Sequence, residues 1–152
     1  MKERTVDARN LLHADLTERI LKAFYHVYNT LGYGFLERVY ENALIISLRK
    51  LGLKAEPQVP VKVYFEGGLV GEYFADVVVA DRIILELKAA EEISEAHESQ
   101  LLNYLKATEI EVGLVLNFGP KPEFRRKVFT NDRKQGTRKN ADPTDQHRQD
   151  KD

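Results

Sequence analysis

Two apolar stretches joined by a tight turn carry charges that a sheet interior does not tolerate without compensation. The first is Tyr73-Phe74-Ala75-Asp76-Val77-Val78-Val79, the second Ile83-Ile84-Leu85-Glu86-Leu87-Lys88, and Ala80-Asp81 lies between them. A carboxylate desolvated in such a strand is costly unless it is partnered. Residues two apart on a strand share a face, so Glu86 and Lys88 point one way and Leu85 and Leu87 the other. The turn folds Asp76 back alongside residues 85 to 87. Two carboxylates and an ammonium therefore converge at the middle of a sheet. A hard divalent cation is the natural partner of oxygen ligands so placed. An ion pair between Lys88 and one acid is the competing reading, and spacing alone leaves both open.

Around this hairpin the apolar periodicity changes several times. Leu16, Ile20, Phe24, Val27 and Leu31 recur at helical steps, predicting a helix from Asp15 to about Thr30 with Asp15 as its cap. Leu31-Gly32-Tyr33-Gly34 breaks it. A second helix is expected from Leu36 to Leu51, burying Val39, Tyr40, Ala43, Leu44, Leu48 and Leu51, with Gly52 as its stop. Val59, Val61 and Val63 alternate in a strand from Gln58 to Phe65, Gly67-Gly68 supplies a hairpin turn, and Leu69 to Val79 returns. After the strand Arg82 to Lys88, Ser94 caps a helix to about Thr108 that carries Leu101, Leu102 and Leu105. Glu111 to Asn117 reads as a buried strand and Phe124 to Phe129 as a short edge strand. This order predicts an α/β domain over residues 15–130, a mixed central sheet flanked by helices on both sides, after an N-terminal extension of residues 1–14.

The 152 residues hold one ordinary domain and its tails, and no cysteine is present. A disulfide scaffold, a thiolate zinc site, an iron–sulfur cluster and a cysteine nucleophile are thereby excluded. No apolar run approaches the ~20 residues of a membrane helix. Met1-Lys2-Glu3-Arg4 is charged and leads into no signal-peptide core, so a cytoplasmic protein with no membrane association is expected. Lys and Arg number 23 against 24 Asp and Glu, a net charge of -1 that argues against a basic nucleic-acid coat protein. It does not argue against chemistry on a phosphate. From Asn131 to Asp152 nothing is aliphatic beyond Ala or aromatic, which predicts a disordered charged tail.

The pattern Asp76…Glu86-Leu87-Lys88 resembles the active-site motif of the PD-(D/E)XK nuclease superfamily, with Ala75 where the usual residue is Pro. Gly34-Phe35-Leu36-Glu37-Arg38-Val39-Tyr40 fits Gly-x-x-Glu-x-x-Tyr, and Gln100-Leu101-Leu102-Asn103-Tyr104 fits Gln-x-x-x-Tyr. Together the three resemble the GxxExxY protein family, a branch of that superfamily, over roughly Leu16 to Phe129. The resemblance implies a restriction-endonuclease-like core, α-βββ-α-β. It also implies that Glu37 completes a metal site with Asp76, Glu86 and the Leu87 carbonyl. Gln100 and Tyr104 then line the site, with His97 near the same stripe and Tyr40 one turn beyond Glu37.

The function so implied is hydrolysis of nucleic-acid phosphodiesters, with DNA as the expected substrate. Mg²⁺ or Mn²⁺ held by the carboxylates would polarise the phosphate and lower the pKa of a bound water, and Lys88 would hold that water or offset developing charge. Small nucleases of this class often need a second subunit to grip duplex DNA, so a homodimer stays open. A non-catalytic nucleic-acid- or protein-binding module on the same fold is the alternative.

Overall fold

The computed structural model describes residues 12–138. Its elements follow the expected order α, α, β, β, β, α, β, β: α1 Ala14–Leu31, α2 Glu37–Lys50, β1 Ala55–Phe65, β2 Gly68–Val79, β3 Ile83–Lys88, α3 Glu95–Lys106, β4 Val112–Phe118 and β5 Pro122–Val128. A short 3₁₀ turn, Asn131–Arg133, comes after β5. The sheet order is β1-β2-β3-β4-β5. All neighbours run antiparallel except β3 and β4, whose parallel pairing sets Glu86 beside Val115 and Lys88 beside Asn117. A parallel pair needs a crossover, and α3 supplies it.

The strands at the centre are buried on both faces, which explains their unbroken Ile, Leu and Val runs. On one face Val77, Val79, Ile83, Leu85, Leu87 and Leu114 pack against Ile20, Phe24, Leu44 and Leu48 of α1 and α2. On the other, Val78, Ile84 and Val115 pack against Leu101, Tyr104 and Leu105 of α3. Gly113 gives α3 its close approach: a Cβ there would lie 2.5 Å from Leu101 Cδ1.

β2 changes face along its length. Ala75 packs with the α3 side while Val77 and Val79 pack with α1 and α2, although all three are odd-numbered. The switch falls at Asp76. There β1 carries Gln58 with φ 50, a left-handed residue between the pairs Pro57–Val77 and Val59–Ala75. Beyond it the β1–β2 hairpin leaves β3 and continues as a two-stranded arm, because β2 pairs with β3 only from Val77 to Val79.

Several local expectations are corrected. His13, left-handed at φ 56, precedes α1 and makes no side-chain cap; Asp15 lies in the first turn, where an acid is favoured by the helix dipole. Val39 is exposed, because α2 turns Glu41 and Ile45 inward instead. The first hairpin turn is Glu66-Gly67, both at positive φ, with Phe65 paired to Gly68. Residues 131–138, expected to belong to a free tail, return to the body: Lys134 is buried and its Nζ donates to the carbonyls of Thr108 at 2.8 Å and Ile110 at 2.6 Å. The remainder of the expected tail and residues 1–11 lie outside the described residues.

Candidate active site

The place where β2 parts from β3 is where the charged side chains collect. The next pair in register would be Asp76 with Glu86, and there side chains take over the hydrogen bonds of the ladder. The Asp76 N–H donates to Glu86 Oε2 at 3.0 Å, and the Leu87 N–H donates to Asp76 Oδ2 at 2.8 Å. Each carboxylate is thus fixed by one main-chain donor. Burial pushes the Glu86 carboxyl up to about 8, and the neighbouring Asp76 adds to the shift. Burial also raises Asp76, against the opposing pull of the Leu87 N–H and the Lys88 charge. Two neighbouring acids in a partly dry pocket, one opposing the other's ionisation, form a strong field for a cation.

Lys88, next on the same side of β3, acts electrostatically on both acids and on His97. Glu37 stands at the N-terminus of α2, and its Oε2 accepts from the Ala89 N–H at 3.2 Å, just past the end of β3. The loop it grips is clamped from behind. Buried Asn117 accepts from the Ala90 N–H and donates to the Ala90 carbonyl, both at 2.9 Å, while a Cβ on Gly119 would come within 1.8 Å of that carbonyl oxygen. α3 contributes from the far side. Gln100 Nε2 donates to the Tyr104 hydroxyl at 3.0 Å, and the Tyr104 pKa is raised by burial and then by Glu86.

Asp76 and Glu86 thus share one centre within electrostatic reach of Lys88, Glu37 and Tyr104, while Gln100 is tied to it only through the Tyr104 hydroxyl. His97 instead serves the start of α3. Its Nδ1 accepts from the Ser94 N–H at 3.1 Å while the Ser94 hydroxyl accepts from the His97 N–H, and the two form a capping box. Burial, then Lys88, lowers its pKa. Tyr40 belongs to the core, stacked on Phe118 at 4.4 Å, with its hydroxyl donating to the Gly32 carbonyl. Two residues of the centre escaped the sequence reading. Glu41, one turn beyond Glu37 and buried, accepts from Gln58 Nε2 at 3.0 Å, and both bear on Asp76. The spacing of Glu41 from Glu37 was a usable signal for it; Gln58 offered none.

Among the described residues no three acidic or imidazole side chains come close enough together to ligate one ion, so Glu37 stands back from the pair. Asp76 and Glu86 still suit a small hard cation, because Mg²⁺ commonly takes one or two carboxylates and completes its shell with water and phosphate oxygens. The Leu87 carbonyl is the main-chain oxygen between Glu86 and Lys88. A mixed sheet flanked by helices, with an acid pair and a lysine where a hairpin splays, defines an α/β fold consistent with the restriction-endonuclease-like class. A family model described as the PD-(D/E)XK nuclease superfamily matches residues 14–127, and the chain belongs to that superfamily. The chain is also similar to the protein of "Crystal structure of SSO0001", with 18% identity and a TM-score of 0.47 over 86% of this chain and 70% of that one. No curated protein matches it. Among the described residues no helix is long and apolar enough to cross a membrane.

Proposed function

We propose that the chain is a metal-dependent nuclease that hydrolyses phosphodiester bonds of nucleic acid, DNA before RNA, and that it is a GxxExxY member of its superfamily. The reading is carried by the Asp76–Glu86 pair at the β2–β3 fork, held by reciprocal main-chain hydrogen bonds with Lys88 alongside. In this reading Asp76 and Glu86 hold Mg²⁺ or Mn²⁺, aided by the Leu87 carbonyl and, through water, by Glu37. The ion would supply charge against the phosphate and a more acidic water. The protein's own groups do the rest. Lys88 keeps a positive charge beside the scissile phosphate, where negative charge grows on the way to the transition state. Gln100 and Tyr104 present an amide and a hydroxyl across the centre and orient the phosphate. Gln58 bonds Asp76 from the β1 side and is itself held by Glu41 of α2.

The test pairs calorimetry with cleavage. Mn²⁺ should bind the wild type and fail to bind Asp76→Ala, and Mg²⁺-dependent nicking of plasmid or single strands should disappear in the same variant. Metal binding unchanged by Asp76→Ala would sink the site. Metal binding without cleavage of any nucleic acid would favour the non-catalytic binding module.

A further inference from the structure

The loop between α1 and α2 displays large apolar side chains beside the candidate centre, with Tyr33 63%, Phe35 48% and Leu36 80% exposed. It is not a slack loop. The Tyr40 hydroxyl accepts from the Phe35 N–H at 3.2 Å and donates to the Gly32 carbonyl at 2.6 Å, and the Phe35 ring meets Tyr40 edge-on at 6.1 Å. Gly32 and Gly34 take positive φ values of 71° and 114°, which let the chain turn here. The fold therefore spends core contacts on fixing a loop that leaves the rings of Phe35 and Tyr33 exposed to water, the usual mark of an interaction site.

Those rings line a cavity of about 510 Å³ whose other walls include Ala89, Ala90 and Gly119, and Glu37 lies on its rim. The Tyr28 hydroxyl donates to the carbonyls of Gly119 and Pro120 at 2.8 and 2.9 Å and fixes that wall. Glu37 and Ala89 thus belong both to the cavity and to the edge of the centre. The charge lining the cavity comes from Glu37 and Glu91, with no Lys or Arg among the lining residues. Such a wall repels phosphate and accepts hydrogen bonds from exocyclic amines. Aromatic rings offer every base a stacking face, but only an unpaired base has its own face to offer.

We propose that this cavity takes one unpaired nucleobase, stacked on Phe35 or Tyr33, next to the phosphate at the Asp76–Glu86 centre. The preferred substrate is then single-stranded or locally unpaired nucleic acid. The inference rests on the nuclease reading of the same centre.

The experiment measures anisotropy of a labelled single-stranded DNA of mixed sequence in EDTA, beside its duplex and a strand containing a run of abasic residues. The wild type should bind the single strand more tightly than the duplex. Of Tyr33→Ala and Phe35→Ala, the one that removes the stacking face should weaken it by about 5- to 150-fold, the alanine cost of one stacked base, while Phe35→Trp preserves it. The abasic strand should bind the wild type as weakly as the intact strand binds that alanine variant. Single-strand affinity unchanged by both alanine substitutions, as a protein occupant would produce, overturns the proposal, as does duplex preference or no single-strand binding. Plasmid nicking by the same proteins separates the two ideas. Wild-type and variant enzymes that nick equally and bind single strands equally refute the stacking site alone. Stacking-dependent binding without any cleavage refutes the nuclease alone.

Discussion

Asp76 and Glu86 occupy positions that a stability-optimised sheet would fill with Val or Thr. Each accepts one main-chain N–H and suffers burial, and Glu86 also bears the charge of Asp76. Glu86→Gln keeps an oxygen to accept from the Asp76 N–H and removes the cost of burying an ionisable acid. The metal-free protein should then melt several degrees higher, and calorimetry should find Mn²⁺ binding lost; a lower midpoint with intact binding would contradict the opposition between the two acids. Lys88→Met keeps the apolar stem and removes the charge. If Lys88 serves catalysis, the variant should bind Mn²⁺ while plasmid nicking falls about 10²-fold, the scale of one electrostatic stabiliser. If it serves only to neutralise a buried acid, the melting curve should show a loss of a few kcal/mol instead. These three residues were legible in the sequence because a charge inside an apolar strand breaks a pattern. Gln58 broke none, and Glu41 offered only its four-residue spacing from Glu37. An acid on a mixed helix reads as solvated, and a glutamine before a valine strand gives no hint of a left-handed backbone.

At the scale of elements, the candidate centre exists because β2 leaves β3 after three pairs. Hydropathy predicted both strands and the turn between them, since both faces are covered and the apolar runs are long. It could not predict the divergence, which falls where Gln58 of β1 takes a left-handed backbone opposite Asp76. The turn falls one residue before the Gly67-Gly68 pair that turn chemistry favours, because Glu66 adopts the left-handed conformation usual for glycine. The loop after β3 is held by its neighbour β4. Asn117→Ala would strand both the N–H and the carbonyl of Ala90. Urea denaturation should show a loss of about 1–2 kcal/mol, the cost of two half-buried groups left without partners. A cost near zero would mean that the clamp is not needed to hold the Ala89 N–H toward Glu37.

Over the whole molecule, the order of elements and the two-sided burial of the sheet followed from periodicity, while the role of residues 131–138 did not. Counting apolar side chains gave this segment nothing to bury. It is secured by main-chain partners instead, with Lys134 laying its stem over the body and capping two carbonyls. The Thr137 carbonyl accepts from the Tyr64 N–H at 3.0 Å on the hairpin arm, and its hydroxyl donates to the Lys106 carbonyl at 2.9 Å. The segment thus ties the arm to the end of α3. A chain ended at Thr130 should melt several degrees below one ended at Arg138, and equal midpoints would mean that these bonds only replace water.

Lys134 also gives this brace a pH signature. Burial, then Arg138, lowers its pKa from 10.5 to about 8. Below pH 8 the amine is charged in both folded and unfolded chains, and the burial penalty is present in full. Between about 8 and 10.5 the folded protein releases the proton that the unfolded chain still holds, so the unfolded state binds more protons and stability rises with pH. The neutral amine still donates to the Thr108 and Ile110 carbonyls, so the contact survives as the penalty fades. Urea midpoints measured at pH 7.5 and 10 for the wild type and Lys134→Met isolate this effect from the other titrating groups. The wild type should gain stability relative to the variant at the higher pH. A difference that stays constant, or that moves the other way, would place the Lys134 amine in water.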